Sequence, residues 1–112
     1  MATAFSPQER ERIRDSLLDA ALKSAATQGM RHATVDGLAR EAGISKGAFY
    51  RFYPSKEHLF LSMLERTHEE MYGSAEKVLD ERTDLPLRER TMRAILEVFR
   101  VAETYNLIPF IR

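Results

Sequence analysis

Three cations, Lys46, Arg51 and Lys56, lie within eleven residues of one another together with the phenol of Tyr50 and two residues without bulk, Gly47 and Ala48. Ammonium and guanidinium groups neutralise phosphate, a phenol donates to a phosphate oxygen, and glycine and alanine let a backbone approach a duplex closely. That set is suited to binding a polyanion. Residue sets suited to catalysis are incomplete by comparison. Glu65 and His68 form an E-x-x-H pair of the kind that di-iron bundles use, but such a site needs a second pair and the chain has none. His32 and His58 lack suitably spaced partners. No glycine-rich phosphate loop is present, and no Ser, His and acid set with its local signature. With no cysteine there is neither a disulfide scaffold nor a thiolate zinc site. The expectation is a protein that is not an enzyme and needs no cofactor or metal.

The cations must be held by something, and the apolar spacing around them predicts what. Val35, Leu38, Ala39 and Ala42 recur at i, i+3, i+4 and i+7, one face of a short helix that Thr34 can cap through its hydroxyl. Gly43 supplies a stop and a sharp turn, because glycine adopts positive φ without strain. Ile44 plugs the angle, Ser45 caps the next helix, and Phe49 and Phe52 give it an apolar side. Lys46, Gly47, Ala48, Tyr50 and Arg51 are left facing outward. Two helices crossing closely over a short turn make a helix-turn-helix, whose second helix enters the major groove of DNA. An ordinary packed helix pair with a solvated basic face is the alternative that these residues leave open. Pro54 then discourages helix at Tyr53, and Ser55 caps a helix from Lys56 to about Met71, so Lys56 sits at a helix N-terminus that favours an anion. Upstream, Ser6-Pro7-Gln8-Glu9 reads as a capping box opening a first helix, with Ile13, Leu17, Ala20, Ala21 and Ser24 along one face and Gly29 at its end.

The run TVDGLAREAGISKGAFYRFYPSKEHLF resembles the DNA-binding domain of the tetracycline-repressor (TetR) family of bacterial regulators, over Ile13 to about Met71. The resemblance implies that Thr34 caps its helix and touches phosphate, and that Lys46, Gly47 and Ala48 approach bases beside the Ser45 cap. It further implies that Tyr50 and Phe52 flank the DNA backbone and that Lys56 clamps a phosphate. Two positions depart from the family pattern. Phe52 stands where His or Tyr is common, which suits a core role, and Arg51 stands where an aromatic is common, which adds a possible contact of this chain's own. The same resemblance sets Arg10, Arg12 and Arg14 beside phosphates; ion pairs with nearby acids are the competing reading.

Beyond the motif, Leu59, Phe60, Met63, Leu64, Thr67 and Met71 continue at helical spacing, so a long helix leaves the head as a lever. The pattern breaks around Asp80 to Pro86, resumes with Met92, Ile95, Leu96, Phe99 and Ala102, and is interrupted at Asn106 before Leu107 to Arg112. The expected fold is all-α: a three-helix DNA-binding domain over residues 1–56, then a connecting helix and part of a helical regulatory domain over 57–112. By resemblance the later part holds a small-molecule effector near Phe99, Tyr105, Leu107 and Phe110, and forms a homodimer that sets two heads on a pseudo-palindromic operator in double-stranded DNA. Ile108 belongs to the same apolar group, and a Met and aromatic stripe of this kind is more often core than ligand pocket. Because family members run on for several more helices, the chain is expected to be a truncated form. A helical interaction module without DNA binding is the alternative.

Charge agrees with a head and a body. The chain is neutral, with 17 Lys or Arg against 17 Asp or Glu, yet residues 1–56 hold nine cations and six acids while 57–112 hold eight and eleven. A basic half faces DNA better than an acidic one. Lacking a leader-like apolar segment or an apolar run long enough to span a bilayer, the chain is expected to be cytoplasmic and free of membrane.

Overall fold

The computed structural model describes residues 4–106, and among them the regular structure is entirely helical. Helix α1 spans Pro7–Thr27, a single 3₁₀ turn Met30–His32, α2 Val35–Glu41, α3 Lys46–Phe52, α4 Lys56–Glu81 and α5 Leu87–Tyr105. The starts of α1 to α4 have the expected chemistry, whereas α5 begins after Pro86 without a side-chain cap. Ser6 Oγ accepts from the Glu9 amide at 3.1 Å while Glu9 Oε1 accepts from the Ser6 amide at 3.4 Å, a complete capping box. Thr34, Ser45 and Ser55 cap α2, α3 and α4 by accepting from the amides of Gly37, Ala48 and His58 at 3.0, 3.1 and 3.2 Å.

Helices α1, α2, α3 and the first turns of α4 enclose one core. Leu17, Ala21 and Ala25 of α1, Leu38 and Ala39 of α2, Phe49 of α3, and Leu59, Phe60 and Met63 of α4 are among its buried members. Ile13, Val35, Ala42, Ile44 and Phe52 pack against it half-buried. Two ion pairs brace the outside: Arg66 to Asp19 at 2.9 Å joins α4 to α1, and Lys23 to Glu41 at 3.2 Å joins α1 to α2.

The turn between α2 and α3 closes through the two hydrogen bonds of a Schellman motif. The Ile44 amide donates to the Ala39 carbonyl at 2.9 Å and the Gly43 amide to the Arg40 carbonyl at 3.1 Å. Gly43 takes φ +75°, and a Cβ there would meet nothing within 4 Å. Its requirement is therefore conformational rather than steric. Gly43→Val should cost about 2 kcal/mol through left-handed strain, and Gly43→Asn distinctly less. Urea unfolding of both variants checks this, and equal costs would show that φ is not the cause.

Past the core the structure departs from the predicted pattern in two places. Helix α4 runs to Glu81, ten residues beyond the expected end near Met71, and its 26 residues span about 39 Å at 1.5 Å per residue. The extension is held by packing on α5, with Ala75 buried and Val78 and Leu79 half-buried. On α5 the side that packs is the small one, Ala94 and Val101, whereas Met92, Ile95, Leu96 and Phe99 are 47 to 65% exposed. Small residues let two antiparallel helices approach closely, so the larger apolar side chains turn outward. Between the helices the hydrogen bond from Arg82 holds the Asp84 carboxyl below its ordinary range. Asn106, in the left-handed region at φ +48°, ends α5 as expected.

Candidate nucleic-acid interface

Helix α3 has only seven residues, too few to be stable alone, and it is oriented by one fully buried side chain, Phe49. The ring of Phe49 lies edge-on to Tyr50 at 5.5 Å and tilted to Tyr53 at 6.3 Å. With Phe49 inward, Lys46, Gly47, Tyr50 and Arg51 are exposed and Ala48 is half-buried. Phe52 faces neither solvent nor the centre of the core: it is half-buried and meets the ring of Phe5 at 5.9 Å.

Thr34, Lys46, Tyr50 and Lys56, distant in sequence, line one open groove of about 390 Å³ between the N-termini of α2 and α4 and the side of α3. Asp36 and Glu57 line it too. Lys46 Nζ stands 3.9 Å from Asp36 Oδ2, with both side chains more than half exposed, a weak and solvent-screened pair that leaves the ammonium easily released.

Lys56 is placed differently from a free phosphate clamp. Its ammonium donates to the carbonyls of Ala33 at 2.9 Å, Met30 at 3.1 Å and Arg31 at 3.5 Å. It thereby closes the C-terminal end of the 3₁₀ turn and ties the first turn of α4 to the segment that leads into Thr34. Sequence alone gave no signal of this, since the acceptors are backbone atoms 23 to 26 residues away and belong to a turn that hydrophobic periodicity does not reveal. The Phe5 contact and the Asp36 pairing of Lys46 were likewise invisible.

Of the residues expected to line an effector site, Phe99 and Tyr105 are the described ones. Phe99 is exposed on α5, and the Tyr105 hydroxyl donates to the Glu70 carboxylate of α4. Phe99 thus faces outward and Tyr105 is half-buried on a two-helix arm that has no third layer among the described residues. Leu107 and Phe110 lie outside the described residues, as does Ile108. Glu65 and His68 share a shallow surface, with the imidazole against Tyr72 at 4.4 Å, and no group of three His, Cys, Asp or Glu among the described residues could hold a metal. No described helix is long and apolar enough to cross a membrane.

Known proteins of similar sequence share this head. Residues 17–63, the segment that builds the core and carries α2 and α3, match the family described as bacterial regulatory proteins, tetR family. The chain is 46% identical over 57 residues to the HTH-type transcriptional regulator YuxN of Bacillus subtilis, covering 51% of this chain and 19% of that one. It is 31% identical over 91 residues to the HTH-type transcriptional regulator YhgD of the same organism, covering 81% and 47%. To the nucleoid occlusion factor SlmA of Vibrio atlanticus it is 31% identical over 99 residues, covering 88% and 49%. It thus spans about half the length of two of these relatives, and less of the first. Among solved structures, NalD of Pseudomonas aeruginosa, described as the secondary repressor of the MexAB-OprM multidrug efflux pump, matches at 24% identity and a TM-score of 0.50, covering 87% of this chain and 60% of that one. That likeness speaks for the fold alone. The capped α2, the Gly43 turn, the Phe49-anchored α3 and the matched segment together mark residues 17–63 as a segment of the kind found in the tetR family of bacterial regulatory proteins.

Proposed function

We propose that the intact protein is a sequence-specific DNA-binding transcriptional regulator, with α3 as the helix that enters the major groove. The observation that carries this reading is the outward set on α3, Lys46, Gly47, Tyr50 and Arg51, presented by a helix whose one fully buried side chain is Phe49. In this reading Lys46, Gly47 and Ala48, next to the Ser45 cap, meet base edges, while Thr34, Tyr50 and Arg51 meet phosphates. Phe52 supports the helix from behind, and Lys56 holds the groove and offers its longest contact, to the Arg31 carbonyl, for exchange with a phosphate oxygen. Replacing Lys46 with Ala should cost about 1–3 kcal/mol on duplexes that carry the base it reads and little elsewhere. Equal loss on all duplexes would make Lys46 a phosphate contact instead.

The wider mechanism we propose rests on the family resemblance. Two copies would set their α3 helices into successive major grooves, about 34–36 Å apart, on a pseudo-palindromic operator. The reading head ends within the first turns of α4, and the rest of α4 with α5 belongs to the regulatory part, where the exposed face of α5 suits a homodimer or the remainder of an effector domain. A small molecule held there would shift the α4 lever and with it the Lys56 tie, favouring a state of lower DNA affinity. Repression is the sign we favour, as the resemblance to the tetracycline-repressor family implies, and the protein would act in the cytoplasm without an enzymatic step. Selection of bound duplexes from a random pool tests the reading. Enrichment of a palindrome with one-turn half-site spacing is expected, and a pool that stays random would sink it.

A further inference from the structure

On the flank of α3 away from Lys46 lies a second groove, of about 330 Å³, lined by Ala4, Phe5, Arg10, Arg14, Arg51 and Phe52. Three arginines from two helices thus meet around one concavity. Arg10 and Arg14 are one turn apart on α1, a like-charge spacing that disfavours an isolated helix. None of the three guanidinium groups makes an ion pair or a hydrogen bond with any described residue: the acids of α1 leave them unpaired, and Glu9 is taken up by the capping box. Arg51 has one partner, the ring of Phe5, whose centroid is 6.0 Å from its guanidinium carbon, and Phe5 is in turn seated on Phe52. Phe5 therefore stands between the recognition helix and the start of α1 and holds the third guanidinium in the group.

We infer that Arg10, Arg14 and Arg51 form a phosphate clamp for the DNA strand opposite the one met by the Thr34, Lys46 and Tyr50 groove, with Phe5 as its positioning residue. The inference rests on the proposed insertion of α3 into the major groove. Lys46 and Arg51 are five residues apart, about 140° around the helix axis, so they address different flanks. A helix with its side chains is about 10–12 Å across, and the major groove is about 12 Å wide, so both of its walls come within reach at once. One wall would meet Thr34, Lys46 and Tyr50, and the other needs cations on the α1 side. Guanidinium forks match phosphate oxygens in pairs, and an anion seated among three unpaired arginines removes their mutual repulsion. Arg12, which does not line the groove, is outside the clamp.

The test uses the full chain and a labelled random-sequence duplex, since phosphate contacts are independent of sequence. Arg10→Ala with Arg14→Ala should reduce the log–log salt slope of binding by about 1.8, two contacts at about 0.9 each, and Arg12→Ala should leave it unchanged. Phe5→Leu, which keeps every charge, should lower the slope by up to about 0.9 through loss of the Arg51 contact. An unchanged slope in the double variant, or an equal drop in Arg12→Ala, overturns the clamp while operator selection by the same proteins leaves the DNA reading standing. If the unsubstituted chain binds no duplex, both fall together. Far-ultraviolet circular dichroism of each variant, expected to match the parent because all the replaced arginines are exposed, separates lost contacts from lost fold.

Discussion

Phe49→Ala should destabilise the head by about 3–5 kcal/mol, the usual cost of deleting a fully buried phenyl group, and should abolish duplex binding of every sequence. The magnitude follows from position as well as area. Phe49 is 0% exposed and is the one buried residue of a seven-residue helix, so its loss opens a cavity and releases α3 together. Helices this short persist only by tertiary packing. The remaining anchor, Phe52, is half-buried on the rim against Phe5 and cannot hold the angle at which α3 leaves the Gly43 turn. Denaturant unfolding gives the cost, and amide exchange of α3 gives its locality. A loss under about 1 kcal/mol, with α3 amides still protected, would mean that the helix is held by something other than this ring.

Lys56→Met carries the second large effect and separates two roles of one side chain. Methionine keeps the length and apolar stem but leaves the Ala33 and Met30 carbonyls, now at 2.9 and 3.1 Å from the ammonium, without their donor. Charge-assisted bonds of this kind are each worth about 1.5–3 kcal/mol. Partial exposure of Lys56 lowers the sum, and a loss of about 2–3 kcal/mol in the absence of DNA is expected. The salt slope reports the other role: a fall of about 0.9 is expected if the bond to the Arg31 carbonyl exchanges for a phosphate. Stability lost with the slope unchanged would leave Lys56 as a tie alone. Unchanged stability would remove the tie and return Lys56 to the position of a free surface cation.

Legibility in the sequence followed the range of the interactions. The Ser6, Thr34, Ser45 and Ser55 caps all involve an amide three residues on, and a hydroxyl followed by helical periodicity is enough to find them. Gly43 was equally plain, because its role depends on φ at one residue. The apolar period also separated Phe49 from Lys46, Tyr50 and Arg51, and so named the outward set of α3. It failed on α5, where period alone marks an apolar side without saying which neighbour that side meets. The stripe of Met92, Ile95, Leu96 and Phe99 is real, but α4 packs on the smaller Ala94 and Val101, because close approach of two helices favours small side chains. The end of α4 was misjudged for a related reason: its last ten residues are held by α5 rather than by their own periodicity.

By itself, then, the sequence determined the helices of the head, the turn between α2 and α3 and the side chains that α3 presents, since each depends on neighbours within about one helical turn. Only the tertiary structure decided where the cations sit. Folding brings Lys56 to carbonyls of the segment 30–33 and Lys46 to Asp36. It also sets Arg51, beside Phe5, against Arg10 and Arg14. Those meetings join residues 10 to 46 positions apart. Long flexible cations take whichever acceptor the packed helices place within reach, and no local pattern records that choice.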